Sequence, residues 1–227
     1  MAGNLDIALL ELLNGSGSSF FDALMLTLTS GYVWIGLYVA LLYLVINNSE
    51  TMSQILLVVG CALMCVMLSG GFSDLVVKPV VGRLRPINDY ALSDIIFPVC
   101  NYRPKGFSFF SSHAANTMSL TVFFSLLVRN RNLFVAMLFW SLTNCYTRLY
   151  LGVHFPSDIL VGLLWGSAAG AAVYWFYTRI YAKVCSTGDF ISTQYTSKGY
   201  TIVTIDIVIT VLAATYIVAI MRALIIA

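Results

Sequence analysis

Six long apolar stretches dominate the chain: Tyr32–Ile46, Gln54–Val77, Ala114–Val128, Leu133–Thr147, Ile159–Tyr181 and Thr201–Met221. None alternates with the period of two that a half-buried strand requires, and a single small chain in lipid satisfies its backbone only as helices. Three of the stretches have 15 residues, against the ~20 that a hydrocarbon core takes, so those spans are expected to borrow polar residues at their ends. The predicted fold is an all-α membrane protein, a bundle of six transmembrane helices. Ahead of the first stretch, Leu5–Thr29 mixes apolar residues with Asp6, Glu11 and Asp22 and is broken by Asn14-Gly15-Ser16-Gly17. That pattern reads as one or two short amphipathic helices lying at the membrane interface. The chain is therefore expected to be one domain over residues 1–227, with an interfacial segment at 1–30 and a six-helix core at 31–222.

The connections are unequal. Asn47–Ser53 and Arg129–Asn132 read as tight turns, Pro79–His113 as a long loop with four of the five prolines, and Cys185–Tyr200 as a polar linker. Gly162, Gly166 and Gly170 recur every four residues and predict a close helix contact without a chemical role. The first thirty residues lack Lys and Arg, so no basic leader of a signal peptide is expected.

Composition supports the membrane reading. Charged residues make up 10% and hydrophobic ones 59%, whereas soluble domains carry about 25% charged residues. A net charge of +2 is too small to point to nucleic acid. Cys61, Cys65 and Cys145 lie in apolar runs, and Cys100 and Cys185 in separate polar segments, so packing residues and free thiols are expected rather than a disulfide framework. No cysteine pair has zinc-finger spacing, and no obligate protein partner is evident.

Three polar clusters interrupt this background on one side of the expected membrane, because the loop after span two and the turn after span four are two crossings apart. The first is Lys78-Pro-Val-Val-Gly-Arg-Leu-Arg85-Pro86. Its two cations are seven residues apart, two helical turns, and would share a helix face on which to meet one anion. The second is Phe110-Ser111-Ser112-His113 at the entrance to span three. A serine there caps a helix whose free N–H groups attract anions. The third runs from Thr147-Arg148 to His154 and Pro156-Ser157-Asp158. Pro156 suits the first helical position, which places Asp158 in the first turn of span five. There it can accept a hydrogen bond from one ring nitrogen of His154 and leave the other free to attack. Both histidines of the chain lie in these clusters. Ionisable groups at that depth are costly, which marks them as functional.

Together the clusters resemble the signature of the type 2 phosphatidic acid phosphatase superfamily, which includes membrane lipid phosphatases and soluble vanadium haloperoxidases. Its first motif, Lys, six residues, Arg-Pro, is met by Lys78, Arg85 and Pro86. Its second, Pro-Ser-Gly-His, is represented by Phe110, Ser111, Ser112 and His113. Its third, Ser-Arg, five residues, His, three residues, Asp, is met by Arg148, His154 and Asp158. Phe110, Ser112 and Thr147 depart from the pattern, and the missing glycine bears on the shape of the pocket.

The resemblance implies a lipid phosphatase in which His154 attacks phosphorus to form a phosphohistidine and Asp158 orients it. His113 protonates the leaving alkoxide and then activates water. Lys78, Arg85 and Arg148, with Ser111 and the backbone at Ser112, hold the phosphoryl oxygens. No metal and no cofactor are implied. The expected substrate is a membrane lipid phosphate entering sideways from the bilayer: phosphatidic acid, phosphatidylglycerol phosphate, polyprenyl pyrophosphate or lipid A. The loop Ile87–Ser108, with Tyr90, Phe97, Tyr102, Arg103 and Lys105, is expected to choose among them. A phosphotransferase using the same intermediate, or a non-catalytic phospholipid-binding or transport protein, are the alternatives.

Seven of the twelve Lys and Arg residues fall on the site side and five on the other. Without Lys78, Arg85 and Arg148 the balance is four against five. The positive-inside rule then leans toward a multi-pass protein of the cell (cytoplasmic or inner) membrane with an extracytoplasmic site.

Overall fold

A computed structural model describes residues 2–184 and 195–227, so residues 185–194 of the expected linker lie outside the described residues. The described chain is all-α, with eight helices. They are α1 (Ala2–Leu13), α2 (Ser19–Leu28), α3 (Ile35–Asn47) and α4 (Met52–Val81), followed by α5 (Ser112–Val128), α6 (Arg131–Tyr150), α7 (Pro156–Val184) and α8 (Ile202–Ile226). Five expected spans coincide with α4 to α8 within a few residues at each end.

By length and apolar composition, α4, α7 and α8 are each sufficient to cross a membrane. The N-terminal region forms two short helices, α1 and α2, broken at residues 14–18. α2 and α3, joined through a 3₁₀ turn at Gly31–Trp34, are bent by 63° and by length and composition form either one broken span or a re-entrant loop. Asp22 of α2 accepts a hydrogen bond from Tyr150 Oη at 2.6 Å. A polar group with a partner no longer opposes packing. α2 packs against α8 and α6, and α1 against α6 and α7.

The centre of the bundle is the α5–α7 contact. The glycine stripe makes it possible. A Cβ on Gly166 would stand 2.3 Å from the carbonyl oxygen of Ala115, and one on Gly162 would stand 2.8 Å from that of Ser111. Backbone therefore lies on backbone, and the start of α5 is fixed against the start of α7. Around this contact, Leu37, Leu44, Phe123, Met137, Trp140 and Ile205 form the apolar core, and Trp34 sits edge-on to Trp140 at 6.0 Å.

α4 carries two π-helical turns, Met67–Gly71 and Ser73–Val77. Such turns release backbone groups that other side chains must satisfy. Asn116 Oδ1 accepts from Gly70 N at 2.7 Å, and Trp165 Nε1 donates to Leu68 O at 2.9 Å. The helix ends at Val81 because Gly82 adopts the left-handed conformation, φ +63°. Lys78 is therefore helical and Arg85 is not. The two cations do not share a helix face as the spacing suggested; they meet because the chain turns back at Gly82.

Candidate active site

A cavity of about 350 Å³ opens where α4, α5, α6 and the turn before α7 converge. Lys78, Arg85, Ser112, His113, Arg148 and His154 all line it, so the three sequence clusters meet in one place. Asp158 and Ser111 do not line it. Asp158 lies behind His154, fully buried. Ser111 caps α5 with its Oγ accepting from Ala114 N at 3.4 Å, and its own N–H donates to Asp158 O at 3.1 Å. Ser111 thus supports the wall of the site rather than facing into it.

His154 stands in the turn between α6 and α7 and is 2% exposed. Its Nδ1 lies 3.6 Å from Asp158 Oδ2 and 3.3 Å from Ser108 Oγ, which itself donates to Asp158 Oδ2. The N–H of Phe155 donates to the same oxygen at 3.0 Å. Nδ1 is therefore turned to the carboxylate, and Nε2 is turned to the cavity, 3.4 Å from Arg85 Nη1. Burial pushes the His154 imidazole down to about 4, against the pull of Asp158 and with help from the Arg85 charge, so it is neutral at neutral pH. A neutral imidazole with one nitrogen directed inward has the geometry of a nucleophile.

Arg85 and Arg148 are 9% and 3% exposed, yet among the described residues no carboxylate pairs with either. Arg85 donates to Val153 O at 3.3 Å and Arg148 to Thr29 O at 2.9 Å, and the Nε of each is buried without a partner. Buried charge of this kind costs several kcal/mol in order-of-magnitude terms unless an anion compensates it. Lys78 differs: Nζ reaches Asp74 Oδ1 at 2.6 Å and Ser112 Oγ at 2.9 Å. The helix starts at Ser112 and Pro156 add their positive ends to the same region.

The three departures from the family pattern each have a place. Ser112 Oγ donates to Asp74 Oδ1 at 2.6 Å, so its hydroxyl is used within the Lys78 cluster. Phe110 is buried beside Trp165, ring centroids 6.2 Å apart, and its carbonyl accepts from Ser73 Oγ at 2.8 Å. Thr147 Oγ1 donates to Asn144 O at 2.7 Å and lies 3.2 Å from Thr29 Oγ1.

Sequence reasoning missed part of the wall. Thr29, Gly31, Trp34 and Tyr38 come from the α2–α3 bend, and Asn116, Thr117 and Asn144 from the interior faces of α5 and α6. No spacing rule brings the α2–α3 bend to the site. Ser108 was assigned only to the substrate-choosing loop, although it binds the orienting carboxylate. Tyr102, from the same loop, does line the cavity; Tyr90 and Phe97 are exposed away from it.

With this geometry in view, the family is settled: the PAP2 superfamily pattern matches residues 55–182, and the chain belongs to that superfamily, as a membrane phosphatase. Two curated relatives carry the similarity further. A lipid A 4'-phosphatase of Bacteroides thetaiotaomicron is 34% identical over 81% of this chain and 81% of its own. A lipid A 4'-phosphatase of Porphyromonas gingivalis is 31% identical over 75% of this chain and 71% of its own. No solved structure matches the chain at a significant level.

Proposed function

We propose that this chain removes a phosphate from a lipid A-type glycolipid at the membrane surface, through a phosphohistidine on His154. The substrate class rests on the two curated relatives. The observation that carries the chemistry is the pairing of two buried, carboxylate-free guanidiniums with a neutral, inward-facing imidazole in one cavity. The anion takes up the free donors of Arg85 and Arg148, and displaces Asp74 as the partner of Lys78. His154 Nε2 then attacks phosphorus while Asp158 stabilises the imidazolium. His113, which reaches the cavity from α5, protonates the leaving sugar oxygen and afterwards takes a proton from the hydrolytic water. Because three cations neutralise the phosphate, chelators are expected to leave activity unchanged and vanadate to inhibit.

The reading includes six crossings, with the bent α2–α3 pair as the first and α4 to α8 as the rest. One contact supports this arithmetic: Asn48, after α3, accepts from Thr201 N at 2.7 Å, before α8, so both lie at the end of the bundle away from His154. On the positive-inside count the site faces the extracytoplasmic side of the cell membrane, and the lipid enters beside the α2–α3 bend.

The test is a panel of lipid phosphates given to purified wild type and His154→Ala, with free phosphate measured. Lipid A is expected to lose phosphate to wild type only. Preference for a soluble sugar phosphate would defeat the proposal, and phosphate passed to another lipid rather than released would make the protein a transferase.

A further inference from the structure

Behind the cavity, Asp158 is gripped by a chain of groups that reaches the N-terminal helix. Arg83 Nη1 donates to Asp158 Oδ1 at 2.7 Å and to Ser157 Oγ at 2.9 Å. Its Nη2 meets Asp6 Oδ2 at 3.0 Å, and its guanidinium lies over the Phe155 ring, 3.7 Å from the centroid. Asp6 Oδ1 in turn accepts from Ser157 N at 2.9 Å, one of the first-turn N–H groups that α7 cannot satisfy internally. Asp6 belongs to α1, Arg83 to the loop after α4, and Ser157 to the start of α7. Three distant parts of the chain close on one carboxylate.

The two oxygens of Asp158 have separate duties. Oδ2 takes Ser108 and Phe155 and faces His154. Oδ1 takes Arg83. With Arg83 gone, Ser108 and Phe155 still hold Oδ2 but nothing charged holds Oδ1, and a buried anion would lose its cation. The carboxylate would then be free to turn, and the ring of His154 with it. Asp6 supplies the charged hold on Arg83 on the side away from Asp158, beside the Ser157 hydroxyl and the Phe155 ring.

We propose that Arg83, fixed by Asp6, is a positioning residue for the nucleophile, so that docking of α1 is part of the catalytic apparatus. The proposal rests on the phosphatase reading above. Neither Arg83 nor Asp6 lines the cavity, so kcat falls and KM does not change.

The experiment uses the full chain in detergent with lipid A carrying its 4'-phosphate. Arg83→Gln and Asp6→Asn are each expected to lower kcat by about 10–100-fold, by analogy with the partners that orient metal-ligating side chains, at unchanged KM. Arg83→Lys should recover part of the loss, and Glu11→Gln, an exposed change on the same helix, should match wild type. Should Arg83→Gln fail to fold, the isosteric Asp6→Asn carries the test. An unchanged kcat in Asp6→Asn overturns the proposal, as does a fall in kcat that comes only with a collapsed thermal midpoint and no recovery by lysine. An inactive wild type would instead defeat the phosphatase reading, and the proposal with it.

Discussion

Arg85 Nη1 stands 3.4 Å from Nε2 of His154, so the nitrogen directed into the cavity faces a fixed positive charge. That charge opposes protonation of the ring, and under the proposed mechanism a bound phosphate dianion would offset it. The free protein holds the ring at about 4, chiefly through burial.

The pH profile follows from this value. Under the proposed mechanism the neutral ring attacks, so activity should be retained as pH falls past the ordinary histidine value of about 6.5 and be lost only near 4. The acid limb of kcat/KM, corrected for substrate ionisation, reports the free enzyme. A limb at the ordinary value would show that burial and Arg85 do not govern His154.

The two histidines should separate by leaving group. His154→Ala loses turnover on every substrate. His113→Ala is still phosphorylated by p-nitrophenyl phosphate, whose leaving group needs little protonation, but loses ~10²–10⁴-fold on an alkyl phosphate. Rapid mixing of His113→Ala should give a burst of p-nitrophenol followed by slow turnover. A burst from His154→Ala instead would reverse the two roles.

Buried, unpaired Arg148 is expected to burden the free fold. Arg148→Met should keep a thermal midpoint at or above wild type while turnover falls by ~10²–10³-fold, the usual consequence of losing one donor to developing charge. Loss of stability in step with activity would mean that the guanidinium holds the fold together.

The α5–α7 contact should be intolerant of a methyl group. Gly166→Ala places a Cβ 2.3 Å from the Ala115 carbonyl oxygen, and overpacking of this kind costs about 1–3 kcal/mol. Gly60→Ala, where a Cβ meets nothing within 4 Å, is the control. Equal thermal midpoints for the two variants would show that the contact is looser than described.

Orientation is readable through one thiol. Cys100 is exposed on the site-side loop, while Cys61, Cys65 and Cys145 are buried. In a Cys185→Ser background, an impermeant thiol reagent should label intact cells through Cys100. Labelling only after permeabilisation would place the site on the cytoplasmic side.

The sequence by itself determined the long helices and the family to which the polar clusters belong. Long apolar runs have one solution in lipid, so α4 to α8 fall where the hydropathy changes. Lys78, Arg85, His113, Arg148 and His154 were recognisable because charged groups beside such runs are costly and therefore few. Pro156 fixed the start of α7, and with it the place of Asp158. Only the tertiary structure decided what surrounds these residues. The left-handed Gly82 that turns Arg85 back toward Lys78 is a local choice of backbone, but the bend that brings Thr29 and Gly31 to the cavity and the contacts of Ser108 and Arg83 with Asp158 join residues far apart in the chain. Local spacing carries no information about such pairs. The Asp158 contacts form because a buried carboxylate must find partners, and packing determines which are within reach.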